Sequence, residues 1–275
     1  MVAGLAFLAT AVATVFAQAT GVRYSRSKAP HQGAWTFALA LFALASAALA
    51  TAASTGWDRG TFRAFYLLGA VLNVPWLALG TIYLLGGRKI GDRVRSVLVL
   101  FTGLAIGVLL AAPMHGTIAP TGGIPVGKDH FGVFPRVLAG VGSGLGATVV
   151  FGGAVYSAVR FARKRGTGHL AAGNALIALG TLVLSSGGLL QGAVGQDQGF
   201  TISLAAGIVV VYAGFVVASS SGGRAAVPAA DAPGAAGEPD PGPADADSDD
   251  SARRTSLPAS VRGNDSTTST RVGSL

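Results

Sequence analysis

The sequence predicts an all-α integral membrane protein: a seven-helix bundle with its amino end outside, its carboxyl end inside, and a disordered tail. Three observations carry that prediction. Over residues 1–220, seven stretches long enough to cross a bilayer contain no acidic residue and no lysine away from their edges. The basic residues collect in alternate connections between those stretches. Beyond residue 220 the composition turns to Ala, Pro, Gly, Asp and Ser, without one aromatic.

Composition sets the frame. The chain is 51% hydrophobic and 12% charged, against about 25% charged for a soluble domain. Its excess of positive charge lies wholly in the first 220 residues, which hold 15 Lys and Arg against Asp58, Asp92, Asp129 and Asp197. A nucleic-acid binder would spread such charge as a stripe on a soluble fold, so that class is set aside. Cysteine is absent, which excludes disulfides, thiolate metal sites and lipidated cysteine.

A span needs about 20 mostly apolar residues. Residues 1–19 qualify with no basic residue before them, which favours a first span over a signal peptide despite the cleavage-like Ala17-Gln18-Ala19. The second span is 34–54. The third, 63–86, contains Pro75, which removes a helical hydrogen bond and predicts a kink. The fourth is 96–113. The fifth, 134–158, carries Gly140, Gly142, Gly144 and Gly146, two overlapping small-xxx-small spacings that predict close helix approach. The sixth, 170–191, repeats the device with Gly173, Gly180, Gly187 and Gly188, and 200–219 is the seventh. Trp35, Trp57, Tyr66, Tyr83 and Tyr156 fall near predicted span ends, as interfacial aromatics do.

Orientation follows from the connections. Arg23, Arg26 and Lys28, then Arg88, Lys89, Arg93 and Arg95, then Arg160, Arg163, Lys164 and Arg165 give one side 11 cations. The other side has four: Arg59, Arg63, Lys128 and Arg136. The richer side is cytoplasmic, which places a multi-pass protein in the cell membrane with its tail inside. The division is a transmembrane domain at 1–220 and a disordered cytoplasmic tail at 221–275, too polar to bury a core. Arg253-Arg254-Thr255-Ser256 in the tail has the look of a basophilic kinase site.

A weak duplication runs through the spans. Val22-Arg23-Tyr24-Ser25-Arg26 matches Val159-Arg160-Phe161-Ala162-Arg163, and Gly56-Trp57-Asp58-Arg59-Gly60 matches Gly195-Gln196-Asp197-Gln198-Gly199. The nearly fixed offset pairs spans 1–3 with spans 5–7, giving a parallel 3+1+3 repeat with halves at about 1–86 and 134–219. Such repeats are a transporter plan with the substrate site between the halves. The plan is similar to that of the PQ-loop and sugar-efflux (SWEET) proteins, although the chain has no Pro-Gln pair. Microbial rhodopsins share the orientation, but span 7 has no lysine for a retinal Schiff base. The stretch from Phe65 to Trp76 resembles uncharacterised small membrane proteins of high-GC bacteria, a resemblance that brings no activity with it.

The expected activity is passive movement of a small molecule. Ion-coupled transporters place ionisable groups inside the membrane, and the spans have none at depth. A cavity is expected near Asn73, Pro75, Trp76 and Asn174. Asn73 is the best single candidate, through a substrate contact or an interhelical hydrogen bond. A second candidate site is external: Asp58 and Asp197 at repeat-equivalent turns, with His115 and His130 in the long loop 113–135, itself a candidate lid or partner surface. Those residues lack any fixed metal-ligand spacing, and Asp58 and Asp197 are more readily read as caps. Gly122 to Lys128 reads G-x-x-x-x-G-K with Asp129 where a phosphate loop needs Ser or Thr, a chance match. No cofactor, metal or catalytic constellation is expected, so the chain is not read as an enzyme. The rival is a receptor-like or scaffolding protein acting through its outer loop or a cytoplasmic partner of the tail. A transporter predicts a polar cavity at mid-depth, and a scaffold predicts glycine contact throughout. The residues leave the oligomeric state open.

Overall fold

A computed structural model describes residues 1–119, 123–164, 166–194 and 197–219, with the backbone alone for 188–194. The tail, with its kinase-like Arg253–Ser256, lies outside the described residues. The elements in order are α1 (Val2–Ser27), α2 (Pro30–Thr55), α3 (Arg59–Phe65), a π-helical segment (Tyr66–Asn73), α4 (Val74–Ala111), α5 (Gly127–His130), α6 (Val133–Ala162), α7 (Gly168–Val194) and α8 (Asp197–Ser219). Six of the resulting helical stretches are long and apolar enough to cross a membrane, the longest being the 53 residues from Arg59 to Ala111. At 1.5 Å per residue that stretch would reach about 80 Å if straight, far beyond a hydrocarbon core of about 30 Å.

It turns back at Gly87, whose φ of 77° and ψ of 178° lie outside helical space. The pairings on either side are those of an antiparallel hairpin. Tyr83 packs with Leu98, Trp76 Nε1–H donates to Thr102 Oγ1 at 3.1 Å, and Arg63 Nη2 donates to the Ala112 carbonyl at 2.6 Å. The stretch is therefore two spans, and the bundle has seven. The turn is shorter than the sequence implies: there is no loop at 87–95, and Arg88, Lys89, Arg93 and Arg95 stand on the returning helix. The Tyr83 ring closes the hairpin by lying where a Cβ on Gly91 would fall, at 2.1 Å. Its hydroxyl donates to Asp92 Oδ1 at 2.7 Å.

Gly87 sits in a backbone region essentially reserved for glycine, where any other residue costs on the order of 1–3 kcal/mol. Gly87→Ala should lower the thermal midpoint of the purified bundle. Gly103→Ala, in regular helix with open space around the added methyl, should not; equal midpoints for the two variants would contradict this reading of the turn.

Six spans form a closed ring in the order 1, 2, 3, 5, 6, 7. The first two pack together, the second on the third, the third on α6, α6 on α7, α7 on α8, and α8 on α1. Span 4 (88–111) stands outside against the third. Leu98, Phe101, Ala105 and Leu109 face inward, while Val97, Leu100, Leu104 and Leu110 are 66%, 75%, 52% and 64% exposed. So much exposed aliphatic surface has no place in water and suits lipid.

Between helices in lipid, association rests on packing and hydrogen bonds. The glycines supply the packing, though not all of those expected to. A Cβ on Gly146 would sit 2.9 Å from the Val74 backbone, and one on Gly142 3.1 Å from the Val71 carbonyl oxygen. Gly140 and Gly144 have nothing within 4 Å. The fifth-span seam is thus built by one small-xxx-small pair, Gly142 and Gly146. Gly173 against Gly214, and Gly180 against Gly207, make an equally close seam between α7 and α8.

The aromatics near the span ends differ in what covers them. Trp57 and Tyr83 are 5% and 6% exposed, because loop and hairpin packing cover them. Trp35 lies against Gly80, where a Cβ would meet its ring at 2.1 Å. Tyr156 keeps a 55% exposed position.

Candidate functional site

The ring surrounds a partly open cavity of about 860 Å³. All six ring spans line it and no residue of span 4 does. On α6 the lining residues recur at helical spacing, with Ala139, Ser143, Ala147, Val150, Ala154 and Ser157 on one face. That face runs from the second turn of the helix almost to its end. At 1.5 Å per residue it extends about 27 Å, close to the thickness of a bilayer's hydrocarbon core.

The third span reaches the cavity through a deformed helix. Its π segment, Tyr66–Asn73, ends two residues before Pro75. In that i to i+5 register the Ala70 carbonyl would receive the N–H of residue 75, and proline has none. Ser143 Oγ–H donates to the Ala70 oxygen instead, at 2.5 Å, satisfying a carbonyl that lipid could not. The predicted effect of Pro75 therefore appears as a π deformation closed by a hydroxyl from the fifth span.

Asn73, the last π residue, lines the cavity midway between Arg59 and Gly87 and is 9% exposed. Its amide has no hydrogen-bond partner among the described residues, so neither the freed carbonyl nor an interhelical bond occupies it. Ser46, 2% exposed, and Ser157, 6% exposed, also line the cavity without a described partner. Buried polar groups are almost always hydrogen-bonded to protein or water, so these three require water or solute in the cavity. Asn174 lines it too, but its Nδ2–H donates to the Leu170 carbonyl one turn back at 2.8 Å. Pro75 and Trp76 are not among the lining residues. Pro75 packs toward Gly142, and Trp76 turns outward to Thr102 and the Phe37 ring, 4.6 Å away between centroids.

Ser46 and Ser157 were not anticipated. A single serine in an apolar helix usually bonds its own backbone, as Thr10, Thr14 and Thr148 do here. The available signal was phase: Ser46 follows Leu39 and Phe42 on one helical face, and Ser157 continues the Ser143 stripe.

At one end the segment from Ile124 to Phe131 roofs the cavity, with Pro125, Val126, Gly127 and Lys128 in the lining. It is held down by an aromatic cluster. Phe131 stacks on Phe62 at 5.4 Å and tilts against Tyr66 at 4.9 Å, and Ile124 is buried beside Trp57. The residues of the expected external site serve this roof. Asp58 caps α3, accepting from the Gly60 and Thr61 N–H groups at 2.7 and 3.1 Å and from the Thr61 hydroxyl. Those bonds, the hydroxyl's foremost, hold its carboxyl below the usual carboxylate range. Asp197 Oδ2, in the first turn of α8, accepts from the Ile124 N–H at 2.9 Å. A Cβ on Gly123 would strike that carboxylate, so glycine is needed there for the grip. The His115 N–H donates to the His130 carbonyl at 3.0 Å, and the His130 ring lies 3.1 Å from the His115 carbonyl through Nδ1. Asp58, Asp197 and the His130 ring each have a structural partner and His115 is held through its backbone; among the described residues no three His, Asp or Glu side chains are grouped to hold a metal ion.

No protein-family model matches the chain, and neither a curated protein nor a solved structure does. The likeness to PQ-loop and sugar-efflux proteins therefore rests on span order alone. The chain is a multi-pass, all-helical membrane protein.

Proposed function

We propose that this protein is a passive transporter of a small molecule in the cell membrane, with two three-span halves facing one another across the cavity. The observation that carries this reading is the polar trio Asn73, Ser46 and Ser157, without partners among the described residues, in a partly open cavity lined by six spans. The ring order supports the two-halved plan. Exchanging spans 1, 2 and 3 with 5, 6 and 7 leaves every neighbour relation among the ring helices unchanged, which is what a parallel duplication predicts. No carboxylate lines the cavity among the described residues, which favours facilitation over coupling to protons or sodium. The distribution of basic residues orients the loop-roofed end outward. The rival scaffold reading is supported by the glycine seams, but a bundle serving only as a scaffold has no use for buried polar groups facing empty volume.

The test is uptake of pooled metabolites into liposomes carrying the protein. Asn73→Leu keeps the size of the side chain and removes its capacity to hydrogen-bond a solute, each such bond worth about 0.5–1.5 kcal/mol net. Flux should fall between about twofold and tenfold. No flux from any pool with correctly inserted protein would end the transport reading.

A further inference from the structure

The charge on the cavity wall narrows the ligand. Among the described residues two cationic side chains line it, Lys128 from the loop roof and Arg136 from the first turn of α6. Both belong to the loop end. Neither makes an ion pair or a hydrogen bond among the described residues; the described ion pairs are those of Asp92 with Arg88 and Arg95, at the opposite end.

Among the described residues no acidic side chain lines the cavity to balance them. Asp197, at the same end, has Oδ2 engaged by the Ile124 N–H. Asp129 neighbours Lys128 in sequence but does not reach the lining. The Tyr66 hydroxyl stands at the same end, 2.9 Å from where a Cβ on Gly127 would be, and has no described hydrogen-bond partner.

Below this end, Leu39, Phe42, Leu77, Leu204, Ile208 and Phe215 make the wall predominantly apolar. Low-dielectric walls focus the field of the two cations into the cavity. Pockets of this size commonly combine an apolar body with a few polar groups that fix orientation.

We infer that the cavity takes an amphipathic anion, its single carboxylate or phosphate group held at Lys128, Arg136 and the Tyr66 hydroxyl and its apolar body in the shaft below. This rests on the transport reading and names the substrate class for it. The ligand can come from the bilayer, as a long-chain acid, or from water, as a short aryl or alkyl acid. The recognition chemistry is the same for both.

The test uses the full chain in nanodiscs of zwitterionic phosphatidylcholine, with 11-(dansylamino)undecanoate and its neutral methyl ester as fluorescent probes. The acid should bind at least about tenfold more tightly than the ester, the scale of a hydrogen bond to a charged group. In the Lys128→Gln/Arg136→Gln double variant the acid should fall to the ester's affinity while the ester's stays unchanged. Both side chains are exposed at the mouth, and retained ester binding reports that the variant is folded. Displacement of the acid by 4-phenylbutyrate would assign the ligand to the aqueous phase, and retention against it would assign the ligand to the bilayer. Equal binding of acid and ester to the unaltered chain, or a preference that survives the double substitution, overturns the anion inference and leaves the transport reading standing. Absence of saturable binding by either probe together with absence of flux overturns both.

Discussion

Gly146→Leu is expected to abolish the folded bundle. A Cβ at that position would lie 2.9 Å from the Val74 carbonyl carbon and oxygen and 3.0 Å from the Pro75 nitrogen. All three are backbone atoms, so no side-chain rotation relieves the clash. Overpacking of a well-packed core typically costs about 1–3 kcal/mol, and here the added branch must also push a pair of helices apart at the point where one is already distorted. The third and fifth spans would separate, and Ser143 would lose the Ala70 carbonyl it satisfies. The measurement is size-exclusion chromatography and thermal melting in detergent, with no monodisperse folded species predicted.

Gly144→Leu, two residues away, should do the reverse: leave the fold intact and stop transport. Its added Cβ has nothing within 4 Å, and the residue lines the cavity. Leucine also has the higher helix propensity, glycine being about 0.8–1.0 kcal/mol less favourable than alanine and leucine close behind alanine, so the melting midpoint should be unchanged or raised. The isobutyl group then fills the shaft between the two halves, and flux should drop to that of protein-free vesicles. Matched loss of fold in both variants would mean that the two glycines share one seam and that no open face exists at Gly144.

This pair shows where the sequence stops being legible. The four alternating glycines announce close helix packing, but small-xxx-small spacing has the same form for either pair. Only the rotation of α6 against the third span decides which pair faces the seam and which the cavity. Asn73 could be found because an amide is costly at mid-depth, and its placement beside a proline marked the helix as irregular. Ser46 and Ser157 were marked only by their helical phase, a weak signal because hydroxyls in apolar helices ordinarily satisfy themselves on their own backbone. Lys128 and Arg136 were visible only as charges on the poorer side of the membrane. Nothing local told that they line a cavity, because their neighbours there come from distant elements. The seven spans were readable from hydropathy, but the turn between the third and fourth is shorter than hydropathy implies. A lone glycine with a positive φ reverses the chain there, and four basic residues that read as a loop are instead the first turns of a helix.

The native chain has no cysteine, so single cysteines can be placed along α6 and read without background. A membrane-impermeant methanethiosulfonate reagent, applied to protein in vesicles, tests the cavity most directly. Cysteines at 140, 143, 144 and 147 should react, while those at Val141 and Leu145, which are 50% and 67% exposed on the outer face, should be shielded by lipid. A reactive stripe centred on 141 and 145, or no reactive position along the helix, would mean that the six spans do not surround a cavity reached by solute.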